Sequence, residues 1–363
     1  MIEFDHAARV ERLQTLMGER DVDVVLLSVG SDLPYFTGYA SMASERLTML
    51  VVHREGEPVL FVPRLEAPRV EPGAFQIVAW DEQDDPIAMV TRACGSPERA
   101  AFGDHTWSAF LMALQEAMPG TQWSPASAVT RELRMVKEPA EVTALRRAAE
   151  AVDRVLQRMP DEIRFSGNTE AEVSRDLARM TVDEGHQESS FAIVASGPNG
   201  ASPHHTAGDR VIEDGDLVVC DFGGRLDGYY SDVTRTFAVG ELSREHEEVH
   251  AVVMAANQAG RDAVAPGVPC QEVDRAARMV IEDAGYRKFF IHRTGHGIGL
   301  EVHEHPYMVE GNELTLEPGM TFSVEPGIYL PMRFGVRIED IVACGDSGAV
   351  DLNQADRGLA VVG

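Results

Sequence analysis

The sequence predicts an α+β protein of two domains, in which a smaller α/β domain precedes a larger one. Short apolar runs alternate with stretches of helical periodicity in the first third of the chain, a pattern typical of an α/β domain. Helices, strands and hairpin signals follow in the remainder. Residues 118–127, which are rich in proline, glycine and serine, mark the boundary between the two domains. We therefore predict domains at residues 1–132 and 133–363.

The first domain is predicted to begin with a helix over residues 6–19, because apolar side chains recur there at helical spacing. The apolar run at 22–29 is bounded by polar residues and is typical of a buried strand. Residues 47–63 predict two strands joined by a turn, in which Gly56 supplies a positive φ. A strand, a helix, a strand and a helix are expected next, at 75–80, 84–94, 99–103 and 106–118.

The second domain is predicted to contain four helices. The first begins after Pro139, a residue favoured in the first helical turn. The second begins after Asn168, whose side chain can cap it, and ends at Gly185. The third and fourth cover residues 243–264 and 269–284. The predicted strands are 191–196, 216–224, 229–239, 320–329 and 335–344.

The composition excludes several classes of protein. Of 363 residues, 44% are hydrophobic and 25% are charged, which is ordinary globular usage and unlike disordered or fibrous chains. The formal net charge of −27 repels phosphate backbones and anionic lipid. Neither nucleic acid nor a membrane surface is therefore expected as a partner.

Cysteine usage and hydropathy indicate a reducing, aqueous compartment. The four cysteines are scattered and form no CxxC pair, which argues against a disulfide framework and a cysteine zinc site. The first residues are charged and amphipathic, unlike a signal peptide. Apolar runs such as 24–27 are far too short to span a bilayer. We therefore expect a cytoplasmic protein.

Five residues of the second domain offer hard oxygen or imidazole donors at predicted strands: Asp221, Asp232, His296, Glu325 and Glu339. Asp221 is expected to end one strand and Asp232 to lie on the next, so that their carboxylates face each other. Each of the five alone has an ordinary explanation, such as a turn cap, a strand-end surface residue or a structural histidine. Together, four buried carboxylates without partners would destabilise a core. Two divalent cations would balance their charge, so the set predicts a dinuclear metal site.

Four segments of the second domain resemble, in order, the motifs of the pita-bread metallopeptidases, which include Xaa-Pro aminopeptidases, prolidases, methionine aminopeptidases and creatinases. The segments are DFGGRLDGYYSDVTRTF, HRTGHGIGLEVHE, FSVEPGIY and GVRIED. SDLPYFTGY, at residues 31–39, is similar to the N-terminal domain of the proline-specific and creatinase branch. The resemblance implies a C-terminal pita-bread catalytic domain and a smaller N-terminal creatinase-like α/β domain.

The resemblance also implies a role for each of the five donors. Asp221 would hold one metal ion, and His296 and Glu325 would complete the other. Asp232 and Glu339 would bridge the two. The ions would be Mn²⁺, which suits a carboxylate-rich set, with Co²⁺ or Zn²⁺ as alternatives. A hydroxide bridging the metals would be the nucleophile, and Glu325 would shuttle its proton to the leaving nitrogen.

Further residues match outer positions of the family. The resemblance implies that His204, His292 and His303 bind substrate and stabilise the tetrahedral oxyanion, His303 most directly. Arg337 lies two residues before Glu339, so on a strand both side chains would share a face. Arg337 could then orient that bridging carboxylate as an outer partner.

One departure from the family bears on the substrate. Many prolidases place an arginine just beyond the histidine that matches His303, where it binds the free carboxylate of a dipeptide. This chain has Tyr307 there, which lacks the charged fork of arginine. Either another base such as Arg333 makes the contact, or strict dipeptides are not the preferred substrates.

The sequence therefore predicts a dinuclear metal-dependent peptidase that cleaves the Xaa-Pro bond of dipeptides or at the amino terminus of short peptides. The resemblance implies a homodimer. A creatinase-like amidinohydrolase is one alternative, although creatinases have lost the metal carboxylates that are intact here. A non-catalytic peptide- or protein-binding member of the same fold is the other.

Overall fold

The computed structural model describes residues 2–363. The chain divides into two compact units, Glu3–Arg134 and Met135–Gly363. In the described part of the chain, no helix combines the length and the apolar character needed to cross a membrane. Each unit has its own hydrophobic core.

The first unit is one mixed six-stranded sheet with helices packed against it. Its elements are α1 (His6–Glu19), β1 (Val24–Leu27), α2 (Asp32–Thr37), β2 (Met49–His53), β3 (Val59–Pro63), β4 (Gln76–Trp80), α3 (Pro86–Cys94), β5 (Arg99–Phe102), α4 (Ser108–Ala117), β6 (Gln122–Pro125) and α5 (Ser127–Met135). The strand order is β4-β3-β2-β1-β5-β6. β2 and β3 form the predicted hairpin, and Gly56 has the expected positive φ of 89°.

Three elements of the first unit, α2, β6 and α5, occupy sequence that was predicted as a boundary or unassigned. β6 falls within residues 118–127 and pairs in parallel with β5 at the sheet edge. Its polar sequence QWSP carries little strand signal, so the pairing with β5 makes it a strand. α5 precedes the long helix that was predicted to begin after Pro139.

The second unit holds four helices and twelve strands among its described residues. They are α6 (Pro139–Glu162), α7 (Glu170–Asp183), β7 (Glu188–Ser196), β8 (Leu217–Leu226), β9 (Tyr229–Tyr230), β10 (Val233–Val239), α8 (Arg244–Asp262), α9 (Cys270–Asp283), β11 (Gly295–Gly297), β12 (Glu304–Met308), β13 (Thr321–Val324), β14 (Gly327–Leu330), β15 (Phe334–Arg337), β16 (Asp340–Cys344), β17 (Ala349–Asp351) and β18 (Ala360–Val362). Two five-stranded sheets form, one containing β18-β10-β8-β7 with β9 on β8 and the other β12-β11-β13-β16-β17, beside the pair β14-β15.

Local sequence explains where α7 begins. Its N-cap is Thr169 rather than the predicted Asn168. The Thr169 hydroxyl accepts a hydrogen bond from the Glu172 amide, and the Glu172 carboxylate accepts one from the Thr169 amide, which forms a capping box. The Asn168 side chain instead donates to the Arg164 carbonyl at 2.9 Å.

Two of the long predicted strands, 320–329 and 335–344, are each interrupted. Residues 320–329 form β13 and β14, with Glu325 and Pro326 between them, and residues 335–344 form β15 and β16, with Glu339 between them. Pro326 lacks an N–H and cannot continue the ladder. The breaks place both glutamates at strand ends, where their side chains leave the regular alternation of the sheet.

A buried histidine in α8 makes the second unit sensitive to acid. His250 is 4% exposed, and burial together with the nearby Arg235 charge lowers its pKa to about 4. Between about pH 6.5 and pH 4, His250 is therefore neutral in the folded protein but protonated in the unfolded chain. Stability supplied by neutral His250 is present at pH 7 and is lost as pH falls from about 6.5 towards 4.

We expect His250→Gln to reduce this loss. Between pH 7 and pH 5, the variant should lose about 2 kcal/mol less unfolding free energy than the wild type. Urea unfolding at both pH values measures this, with both proteins at the same metal content. His105→Gln, at an exposed histidine, is the control and should follow the wild type. Equal acid losses in wild type and His250→Gln would contradict the prediction.

Candidate active site

A cavity of about 670 Å³ lies in the second unit and collects almost all of the predicted site residues. Nine of the ten line it: His204, Asp221, Asp232, His292, His296, His303, Glu325, Arg337 and Glu339. Phe191, Ile193 and Val302 supply apolar wall. The tenth residue, Tyr307, lies on β12 beside the cavity.

Strand register brings the acids to one face. Asp221 lies opposite Thr234 in the β8–β10 pair, and Asp232 precedes Thr234 by two residues, so their side chains share a face of the sheet. Glu339 joins them because its amide donates to the Thr234 carbonyl at 3.1 Å. The prediction that Asp221 ends its strand is wrong, since β8 continues to Leu226.

His296 faces three carboxylates through one ring nitrogen. Its Nδ1 donates to the Gly297 carbonyl at 3.1 Å, so the neutral ring presents the lone pair of Nε2. Nε2 lies 3.6 Å from Asp232 Oδ2, 3.4 Å from Glu325 Oε1 and 4.0 Å from Glu339 Oε1. Burial lowers the pKa of His296 to about 3, which keeps the ring neutral.

The carboxylates are buried and incompletely paired. Asp232 is 4% exposed and Glu339 is 2% exposed. Within residues 2–363, Asp221 Oδ1, Asp232 Oδ1 and Glu339 Oε1 have no hydrogen-bond partner. Burial, reinforced by neighbouring carboxylates, raises the pKa of Asp232 and of Glu339 well above the ordinary value. Burial also raises the pKa of Glu325 to about 7.

This donor set fits divalent metal ions. Asp232, His296 and Glu339 each offer a ligand atom, and these atoms all lie within 4.8 Å of one another. Carboxylate oxygens with one imidazole nitrogen suit Mn²⁺, Co²⁺ or Zn²⁺. A cation among them would coordinate the unpartnered oxygens and remove the repulsion between lone pairs.

Arg337 supports a different carboxylate from the one expected. Its guanidinium lies 2.6 Å from Asp221 Oδ2 and also donates to the Tyr329 hydroxyl at 3.0 Å. Glu339 instead accepts from the Thr234 hydroxyl at 2.7 Å. Arg337 is linked to Glu339 only indirectly, because its Nε donates to the same Thr234 hydroxyl at 3.1 Å.

The three outer histidines differ in what their rings are free to do. His292 Nδ1 donates to the Arg293 carbonyl at 2.7 Å, so Nε2 is the acceptor of the Tyr329 hydroxyl at 2.8 Å. Burial lowers the pKa of His292 to about 4, which keeps it neutral. In contrast, the rings of His204 and His303 make no hydrogen bond to any described residue while lining the cavity.

Comparison with known proteins decides the family. The chain matches the metallopeptidase family M24 over residues 143–346 and the creatinase/prolidase N-terminal domain over residues 9–136. The chain belongs to metallopeptidase family M24. The predicted pita-bread fold, the N-terminal creatinase-like domain and the metallo-exopeptidase class are thereby confirmed.

Individual relatives are similar along almost their whole length. The probable dipeptidase PepE of Mycobacterium tuberculosis is 44% identical over 93% of this chain and 92% of its own. The Xaa-Pro dipeptidase of Lactobacillus delbrueckii subsp. lactis is 34% identical over 93% of each chain. The crystal structure of prolidase from Thermococcus sibiricus superposes with a TM-score of 0.94 at 37% identity, covering 99% of this chain and 100% of that one.

Sequence reasoning missed two side chains of this metallopeptidase and misjudged a third. Tyr329, in FSVEPGIY, is 2% exposed and links His292 to Arg337. Arg293, in HRTGHGIGLEVHE, lines the cavity. Arg333, the base suggested for carboxylate binding, lies outside the cavity lining, where its side chain is 51% exposed and paired with Glu245. Tyr329 and Arg293 both lie within motifs that resemble the family's, and this position in the sequence was the signal that could have identified them.

A buried glutamate anchors the loop that carries His204 in the M24 enzyme. Glu170, fully buried at the start of α7, accepts from the Ser196 amide at 2.7 Å and from His205 Nε2 at 2.7 Å. Asn199 adds a hydrogen bond at 3.0 Å. Burial raises the pKa of Glu170, but these hydrogen bonds outweigh it and hold the pKa below its usual value.

We expect Glu170→Gln to destabilise the second unit by about 1–3 kcal/mol, because an amide cannot accept all of these donors and leaves some buried and unpaired. Urea unfolding of the metal-loaded protein measures the change. Glu172→Gln is the matched control, at an exposed capping glutamate on the same helix, and should cost less, about 0.5–1 kcal/mol. Similar losses in the two variants would show that the Glu170 network does not hold the loop.

Proposed function

We propose that this metallopeptidase uses two divalent ions, Mn²⁺ being the best suited, to hydrolyse the bond between an amino-terminal residue and a following proline. The observation that carries the proposal is a cluster of four carboxylates at the wall of a cavity. Three of them, Asp232, Glu325 and Glu339, face His296 Nε2, and Asp221, Asp232 and Glu339 each have a buried, unpaired oxygen. The relatives named dipeptidase, Xaa-Pro dipeptidase and prolidase support the substrate class.

Five residues would hold the ions: Asp221, Asp232, His296, Glu325 and Glu339. Two divalent ions carry four positive charges, which match the four carboxylates. When bound, such ions supply Lewis acidity and bring the pKa of a water molecule towards neutrality. Arg337 keeps Asp221 in place by an ion pair, and Thr234 keeps Glu339 in place by its hydroxyl.

Glu325 is the residue proposed to move the proton. Its Oε1 accepts from the Ser323 hydroxyl at 3.2 Å, which leaves Oε2 to take a proton from the attacking water and give it to the proline nitrogen. In the absence of metal ions, burial raises the pKa of Glu325 to about 7.

His204 and His303 are proposed to stabilise charge that develops on the scissile carbonyl oxygen. Both line the cavity, and neither ring makes a hydrogen bond with any residue of 2–363, so an N–H is available to donate. His292 is not proposed for this role, because its two nitrogens are occupied by Arg293 and Tyr329. It positions Tyr329 and, through it, Arg337.

The apolar wall suits proline. Phe191, Ile193 and Val302 line the cavity and offer surface for a pyrrolidine ring, which has no N–H to be satisfied. Hydrolysis of Ala-Pro and Ala-Pro-Ala, each with Mn²⁺ and again with EDTA, tests the proposal. We expect metal-dependent cleavage of at least one. Cleavage of neither, by protein shown to contain metal, would refute the proposed function.

We expect Glu325→Gln to lower kcat by about 100- to 10,000-fold, because glutamine cannot carry the proton. Steady-state kinetics on Ala-Pro or Ala-Pro-Ala measure this, and elemental analysis of the same samples records metal content because Glu325 is also a proposed ligand. Glu310→Gln, at an exposed glutamate, is the control. Wild-type kcat at full metal content would remove Glu325 from the proton-transfer role.

Metal binding should reverse the stability order of the wild type and Glu339→Gln. In EDTA, the variant should be at least as stable as the wild type, because it removes a buried unpaired charge. With Mn²⁺ at a hundred times its Kd, the wild type should gain about 3 kcal/mol and the variant less. Thermal unfolding in both conditions tests this. Equal metal responses would show that Glu339 is not a ligand.

A further inference from the structure

The group that binds the far end of the substrate is not assigned by the proposed function. The free carboxylate of an Xaa-Pro dipeptide is on the proline, which also supplies the scissile nitrogen, so the carboxylate lies close to the scissile bond. Tyr307 occupies the position where an arginine was expected, and Arg333 is paired with Glu245 at the surface. A cation inside the cavity must therefore come from elsewhere if the substrate is a dipeptide.

Two arginines line the cavity, and only one is uncommitted. Arg337 is 3% exposed and donates to Asp221, Tyr329 and Thr234. The Arg293 guanidinium makes no hydrogen bond and no ion pair with any residue that the structure describes. Its central carbon lies 4.2 Å from the centroid of the Tyr307 ring.

The stacking holds the Arg293 guanidinium without using its donors. A guanidinium lying over an aromatic face is attracted to the ring, while its N–H groups point outward in their own plane. Those N–H groups have the spacing of a carboxylate and can donate two parallel hydrogen bonds to it. Tyr307 is thus the platform, and Arg293 supplies the charge that is absent at position 307.

This pair lies beside the reacting centre. Tyr307 is the direct partner of His296 across the β11–β12 pair, so the two side chains lie on the same face, about 5 Å apart at Cβ. Arg293 lines the same cavity as His303 and the proposed proton shuttle Glu325. Its guanidinium therefore lies in the cavity where the substrate is proposed to react.

We propose that Arg293, stacked on Tyr307, binds the α-carboxylate of a two-residue substrate and so makes the enzyme a dipeptidase. This inference rests on the proposed function, because it names the substrate class of the same cavity. The Arg293 guanidinium adds a positive charge that no described residue pairs, and a substrate carboxylate neutralises it. A longer peptide places an uncharged amide there and leaves the half-buried guanidinium without a counter-ion.

The test compares three substrates on the Mn²⁺-loaded enzyme: Ala-Pro, Ala-Pro-amide and Ala-Pro-Ala. The amide differs from the dipeptide only in losing the carboxylate charge. The wild type should favour Ala-Pro in kcat/KM by at least about tenfold over the other two. In Arg293→Gln, the ratio of kcat/KM for Ala-Pro to that for the amide should fall by about 10- to 100-fold, mainly through KM.

Further variants separate charge, platform and folding. Arg293→Lys keeps the charge without the planar fork and should recover part of the preference. Tyr307→Phe keeps the ring and should retain the preference, whereas Tyr307→Leu removes the platform and should weaken it. Arg333→Gln is the matched control at the surface arginine and should retain the wild-type ratio. Circular dichroism and metal analysis establish that each variant is folded and loaded.

The outcomes distinguish this inference from the proposed function. If the wild type cleaves Ala-Pro and its amide equally well, or if Arg293→Gln leaves their ratio unchanged, the assignment of Arg293 is wrong while the Xaa-Pro peptidase stands. If Arg293→Gln lowers both substrates equally, Arg293 supports structure rather than the carboxylate, and the inference fails. If the metal-loaded wild type cleaves none of the three, the proposed function fails, and the inference fails with it.

Discussion

The second unit is organised around concentrated negative charge that the chain alone does not neutralise. Asp232, Glu325 and Glu339 converge on one imidazole nitrogen, and Asp221 lines the same cavity, paired with the buried guanidinium of Arg337. Burying ionised groups without counter-charges is costly, so the arrangement is stable only with cations or with protons on some of the acids. The raised pKa values of three of these carboxylates express that cost.

The surrounding structure keeps these groups in position despite their repulsion. Four of the five ligand-type side chains have a fixed partner on their outer side: Arg337 for Asp221, Thr234 for Glu339, Ser323 for Glu325 and the Gly297 carbonyl for His296. These contacts leave the inner atoms free for metal ions. The interruptions between β13 and β14 and between β15 and β16 serve the same end, because they release Glu325 and Glu339 from the sheet alternation.

The cavity beyond the acids is divided by chemistry. Apolar residues form one part of its wall. Two histidines whose rings make no hydrogen bond with the described residues form another, and Arg293, stacked on Tyr307, provides a positive charge beside His296. His292 illustrates how a polar residue in such a cavity can be structural, since both of its nitrogens are already bonded. Residue type and position near a metal site therefore do not determine function; the hydrogen-bond partners do.

The sequence by itself determined the family, the long helices α6, α8 and α9, the apolar strands β1 and β8, and the set of five donors, because these depend on local periodicity and on residue types in order along the chain. Short strands such as β6, β11 and β12 escaped prediction, since such short segments carry too little hydrophobic periodicity to identify a strand. Only the tertiary structure decided that Arg337 pairs with Asp221 and that Arg293, not Arg333, enters the cavity. Those choices depend on distances through space, which no spacing along the chain encodes.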